Sequence, residues 1–64
     1  MLITINTNMN IYYCYEKNTG KFLGSGVYQV DDDTYGSTVI PCPVYDNTKE
    51  LPIWKNGKWE ILPK

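Results

Sequence analysis

An all-β fold follows from three features of the 64-residue sequence. Turn signals recur about every ten residues, which is the rhythm of short strands. Between them lie segments rich in aromatic and β-branched side chains, including six Tyr, two Trp and one Phe, and these fit a pleated sheet. Ala is absent and Leu is scarce, so long helices lack their best formers. The expected architecture is one domain over residues 1–64. It is a small antiparallel sheet or sandwich built from two β-hairpins, with four to six short strands and a proline-bearing connector.

The start, Leu2-Ile3-Thr4-Ile5, reads as a first strand, and Asn6 to Asn10 as a loop. A hairpin follows. Asn10 to Glu16 is an aromatic strand, Lys17-Asn18-Thr19-Gly20 is a polar turn ending in glycine, and Lys21 to Val30 returns. If Glu16 faces Lys21, then Tyr15 faces Phe22, Tyr13 faces Gly24 and Ile11 faces Gly26. One face then carries Ile11, Tyr13, Tyr15 and Phe22, with glycines beneath two of the side chains. The other carries Tyr12, Cys14, Leu23 and Val27. Both faces are apolar, so either the ribbon is covered on both sides or one side is a contact surface.

The middle of the chain opens on Asp31-Asp32-Asp33 and holds a brief strand at Thr38-Val39-Ile40. Pro41-Cys42-Pro43 then forces an extended path and removes two donors, which suits an edge or a linker. The last segment is the clearest. Asn56-Gly57 between Ile53-Trp54-Lys55 and Lys58-Trp59-Glu60 specifies a two-residue type I′ hairpin. That turn sets the register: Lys55 faces Lys58, Trp54 faces Trp59, Ile53 faces Glu60 and Pro52 faces Ile61.

Composition excludes several chemistries. The chain has no His and no Arg. Catalytic triads and His-ligand metal sites are therefore ruled out, as is bidentate guanidinium recognition of phosphate. Net charge is -1, with six Lys against seven acids, and no basic stripe forms to bind nucleic acid. No apolar run approaches the roughly 20 residues of a membrane span, and the start lacks the basic region of a signal peptide. Cys14 and Cys42 read as free thiols of a reducing compartment, and Cys14 as a small buried hydrophobe. The aspartate triplet lacks the spacing of a calcium loop and reads as a solvated turn. Glu16, Asp46, Glu50 and Glu60 supply carboxylates, but a chain this short can hardly build a glycosidase cleft. No enzyme activity, metal or cofactor is expected.

The aromatic side chains remain as candidates. A domain of about 60 residues buries only about 60% of its unfolded surface, so large rings are needed for the core. Tyr and Trp also favour surfaces that are half dry and half wet. Tyr13, Tyr15, Phe22, Tyr28, Trp54 and Trp59 are the candidate binding residues. Trp54 and Trp59 are either core or a stacking platform for sugar. Tyr35 and Tyr45 have the same choice.

One pattern reaches further. The run from Ile11 to Gly24, with its Tyr-containing strand, Thr19-Gly20 turn and Leu23-Gly24, resembles the opening of small phage tail proteins. The prolines 41, 43 and 52 and the closing Trp54-Lys55-Asn56-Gly57-Lys58-Trp59 continue that resemblance to tail-fibre assembly chaperones and tail-fibre-associated proteins. Those chaperones usually extend further at the C-terminus. They also often have Asp before the turn, where this chain offers Glu16 or Asn18. The resemblance thus implies a phage or prophage context more than chaperone activity, and it transfers no catalytic residue. It implies a non-enzymatic module that contacts a tail or tail-fibre protein through an aromatic face, in the bacterial host cytoplasm during assembly or in the virion. The alternatives are a carbohydrate-binding module with a glycan partner, or a structural minor virion component. A homo-oligomer would cover a ribbon that is apolar on both faces.

Overall fold

The computed structural model describes residues 10–64. The strand expected at Leu2-Ile3-Thr4-Ile5 lies outside them. Five strands are present and no helix: β1 (Tyr12–Glu16), β2 (Phe22–Gly26), β3 (Tyr35–Thr38), β4 (Glu50–Lys55) and β5 (Lys58–Pro63). They form a three-stranded antiparallel sheet, order β2-β1-β3, and a two-stranded antiparallel sheet, β4-β5. The all-β expectation, two hairpins with a proline-bearing connector, matches this architecture.

The second hairpin has the expected register throughout, from Lys55 opposite Lys58 to Pro52 opposite Ile61. Asn56 at φ 54° and Gly57 at φ 77° take the left-handed conformations that a type I′ turn requires. Hydrogen-bonded pairs fall on every second position from the turn. At the far end the Lys64 N–H donates to the Lys49 carbonyl at 2.8 Å. Pro52 and Pro63 occupy the intervening positions, where an N–H would point away from the partner strand. The ladder therefore loses no bond to either proline.

The first hairpin corrects the expected register. Near the turn, Tyr15 does oppose Phe22, and the Glu16 N–H donates to the Lys21 carbonyl. Beyond it a bulge intervenes. Cys14 opposes Gly24, Tyr13 opposes Ser25 and Tyr12 opposes Gly26. Leu23 is the extra residue, and Gly24, at φ 147°, absorbs the irregular backbone. The expected pairs Tyr13–Gly24 and Ile11–Gly26 do not form. A glycine does lie under a tyrosine ring, but it is Gly36 of β3, the cross-strand partner of Tyr15.

The middle strand also differs from expectation. It runs over Tyr35–Thr38 rather than residues 38–40. Val39 and Ile40 are β-branched but precede Pro41, and both stand exposed. Gly36 fits beneath Tyr15 and draws the pairing two to three residues earlier.

The two sheets meet at the β1–β2 turn. Gly20, buried at φ 78°, accepts the Trp54 N–H on its carbonyl at 2.7 Å. Lys21 and Ile53 form an antiparallel bridge beside it. Pro52 is fully buried, and the large rings around this junction are half-buried. The core is therefore thin, as expected for a chain of this size.

Candidate functional site

Five rings gather where the sheets meet. Cross-strand pairing brings Tyr15 beside Phe22 and Trp54 beside Trp59. The sheet junction then joins the two pairs. Tyr15 stacks on Trp54 at 5.7 Å between centroids, with planes 24° apart. Trp59 meets Tyr15, Phe22 and Trp54 edge-on, at 6.3, 5.4 and 5.1 Å. Phe22 meets Tyr45 edge-on at 6.2 Å. Each aromatic pair in such geometry contributes about 0.5–1.5 kcal/mol beyond area burial.

The proline-bearing connector closes over this cluster. The Trp59 indole N–H donates to the Ile40 carbonyl at 2.8 Å, and Tyr45 seats its ring against Phe22. Between these anchors the Pro41-Cys42-Pro43 path leaves Val44 fully exposed. Of the Trp54–Trp59 sugar platform that the sequence offers as an alternative, the Trp59 indole N–H is thus bonded within the chain, and Tyr15 stacks on one face of Trp54.

Of the six candidate binding residues, four lie in the cluster: Tyr15, Phe22, Trp54 and Trp59. Tyr13 is half-buried in β1, outside these ring contacts. Tyr28 stands apart at 81% exposure, in the bend after β2. Tyr45, weighed with Tyr35 as core or platform but not one of the six candidate binding residues, belongs to the cluster. Its alternation with the exposed Val44 is the sequence signal that favours core.

A second feature is an apolar end of the three-stranded sheet. Tyr12 opposes Gly26 and Tyr13 opposes Thr38, so β1 begins where β2 and β3 finish. Ile11, Val27, Tyr28, Val39 and Ile40 emerge there, each 45% exposed or more.

The acidic turn is local structure, as expected. Asp32 Oδ1 accepts the N–H groups of Tyr35 at 2.7 Å and Thr34 at 2.8 Å. These bonds, Tyr35 first, hold its carboxyl below the ordinary aspartate range. Asp31 pairs with Lys17 at 2.8 Å, and that hydrogen bond raises the Lys17 ammonium above its usual value. Asp46 accepts the Thr48 hydroxyl at 2.6 Å and the Thr48 N–H at 2.9 Å, and is lowered in turn. Among the described residues no three acids or thiols come together as metal ligands. Cys14 and Cys42 are free, and burial pushes the Cys42 thiol upward, away from nucleophilic chemistry.

The lowered aspartates set a pH dependence. A carboxyl depressed in the folded state adds stability above its unfolded pKa of about 3.9 and loses it as pH falls through the native value. Thermal unfolding below about pH 4 is therefore expected at a lower midpoint than at neutral pH. Asp32→Asn keeps an acceptor but no titration, so its midpoint should fall less over the same range. An equal fall in both proteins would dismiss Asp32 as a contributor.

Comparison with protein families, with curated proteins and with solved structures returns no match to this chain. No helix among the described residues is long and apolar enough to cross a membrane.

Proposed function

We propose that this chain is a non-enzymatic binding module of a phage or prophage that docks on a tail or tail-fibre protein. The apolar end of the three-stranded sheet carries the contact. The observation behind this reading is a division of labour among the apolar residues. The large rings of β1, β2, β4 and β5 pack on one another, whereas Val27 and Tyr28, which follow β2, and Val39 and Ile40, which follow β3, are each exposed. An exposed tyrosine among aliphatic side chains is the composition of an interface anchor. The resemblance of Ile11–Gly24 and of the Trp54–Trp59 hairpin to tail-fibre-associated proteins supplies the class of partner. The host cytoplasm during assembly, or the virion, is where such a contact would operate.

The test is affinity for phage tail and tail-fibre proteins, compared between the native chain and a Tyr28→Ser, Val39→Ser variant. The variant should bind about tenfold more weakly or worse, with native tryptophan emission as the control for folding. Unchanged affinity would remove this surface from the contact. Glycan binding that survives the variant, with no protein binding, would favour a carbohydrate module instead.

A further inference from the structure

We infer that the outer edge of β5 pairs antiparallel with β5 of a second copy of this chain, centred on Trp59. The alternation of the β4–β5 ladder carries the argument. Lys58 and Glu60 occupy its hydrogen-bonded positions, opposite Lys55 and Ile53. The N–H and C=O groups of Trp59 and Ile61 therefore point away from β4. On the other side of the hairpin, the outward Trp54 N–H is taken by the Gly20 carbonyl. Along β5, no backbone bond or bridge reaches Trp59 or Ile61 from outside the hairpin among the described residues. An edge with free donors and acceptors is a template for another strand.

Charge identifies the occupant and the register. The two-fold registers that bring the outward groups of two β5 strands together are centred on Lys58 through Leu62. Centred on Lys58, the pairing sets Lys58 against Lys58, and centred on Leu62 it pairs Ile61 with Pro63, which has no N–H to return the bond. Centred on Glu60, the pairing sets Glu60 against Glu60. Centred on Ile61, it sets Lys58 against Lys64. Centred on Trp59, it sets Lys58 of each copy against Glu60 of the other, twice, with Trp59 bonded to Trp59 at the axis. Like charges directly opposite oppose pairing and opposite charges favour it. The sequence Lys58-Trp59-Glu60 is thus complementary to itself about its middle residue. A two-fold pairing of this kind uses up the edge, so it ends at a dimer rather than a fibre. Pro63 has no N–H to extend it.

Sedimentation equilibrium on the whole chain tests this, from about micromolar to millimolar concentration. The native chain should rise from monomer to dimer mass, and high salt should weaken the rise. Lys58→Glu and Glu60→Lys should each remain monomeric, because each faces its own charge. An equimolar mixture of the two variants should recover the dimer, since every facing pair is then opposite in sign. Both variants keep the hairpin, because neither alters a ring or the turn, and tryptophan emission checks this. A native chain that stays monomeric, an open-ended series of larger species, or variants that each dimerise alone would overturn the pairing.

Discussion

Gly20→Ala is expected to remove most of the stability of this domain. Gly20 sits at φ 78°, where a side chain costs about 1 kcal/mol. A Cβ there would also lie 2.3 Å from the Trp54 carbonyl oxygen and 2.9 Å from Ile53 Cγ2. The first obstacle is backbone and cannot rotate aside. Relief requires the β1–β2 turn to withdraw from β4, which breaks the Gly20–Trp54 hydrogen bond that joins the sheets. Strain and lost junction together are worth about 2–4 kcal/mol. A core of this size rarely supplies more than about 3–5 kcal/mol, so the variant should be largely unfolded near room temperature. Gly57→Ala is the matched control. Its φ is 77°, and no atom lies within 4 Å of the added Cβ, so only the conformational cost of about 1 kcal/mol applies. Urea unfolding followed by tryptophan emission measures both. Equal losses would mean that the Gly20 contact with β4 adds nothing to the fold.

How far the sequence foretold these features depends on how local their causes are. Asn56-Gly57 dictates its own turn, and the turn dictates every pair of the second hairpin, so that register was readable in full. The first hairpin was readable only beside its turn, at Tyr15 opposite Phe22. The bulge at Leu23 and Gly24 lies in β2, an edge strand of the three-stranded sheet, where bulges are common, and a reading that counts residues outward from the turn does not contain it. The displacement of β3 has a cause distant in sequence. Strand propensity favours Val39 and Ile40, but the fit of Gly36 under Tyr15 is a contact 21 positions away in sequence. The membership of the cluster follows the same division. Trp54 and Trp59 were paired by their turn, and Tyr15 and Phe22 by theirs. That the two pairs meet depends on Gly20 accepting from Trp54, which no local pattern announces. Tyr28 was named as a candidate alongside the cluster residues. The sequence could not separate it from them, because exposure is a property of the assembled sheet end.

Tyr15→Ala should be as damaging as Gly20→Ala, and its coupling to Gly36 gives the sharper test. Tyr15 touches Trp54 face to face and Trp59 on edge, and its ring end lies under Gly36. Deleting a large aromatic side chain from a core costs about 3–5 kcal/mol, again comparable with everything a domain this small can muster. Tyr15→Phe keeps the ring stack, and should cost less than about 1 kcal/mol. The hydroxyl is not what holds the cluster. At Gly36 an added Cβ would stand 2.7 Å from the Tyr15 ring carbon Cζ and from its oxygen. The ring cannot retreat from it, because Trp54 stacks against it and Trp59 meets it on edge. Gly36→Ala should therefore destabilise the native chain by about 1–3 kcal/mol as an overpacking change. Placed in the Tyr15→Ala protein, the same methyl enters space the ring has vacated and should be neutral or stabilising. A double-mutant cycle on urea midpoints, in a stabilising osmolyte where needed to keep the variants folded, reads this change of sign. Additive losses would show that Tyr15 and Gly36 do not press on each other. A sign reversal would locate the tolerance of β3 for a side chain in one ring of β1, and so identify Tyr15 as the residue that fixes both the register of β3 and the packing of the two sheets.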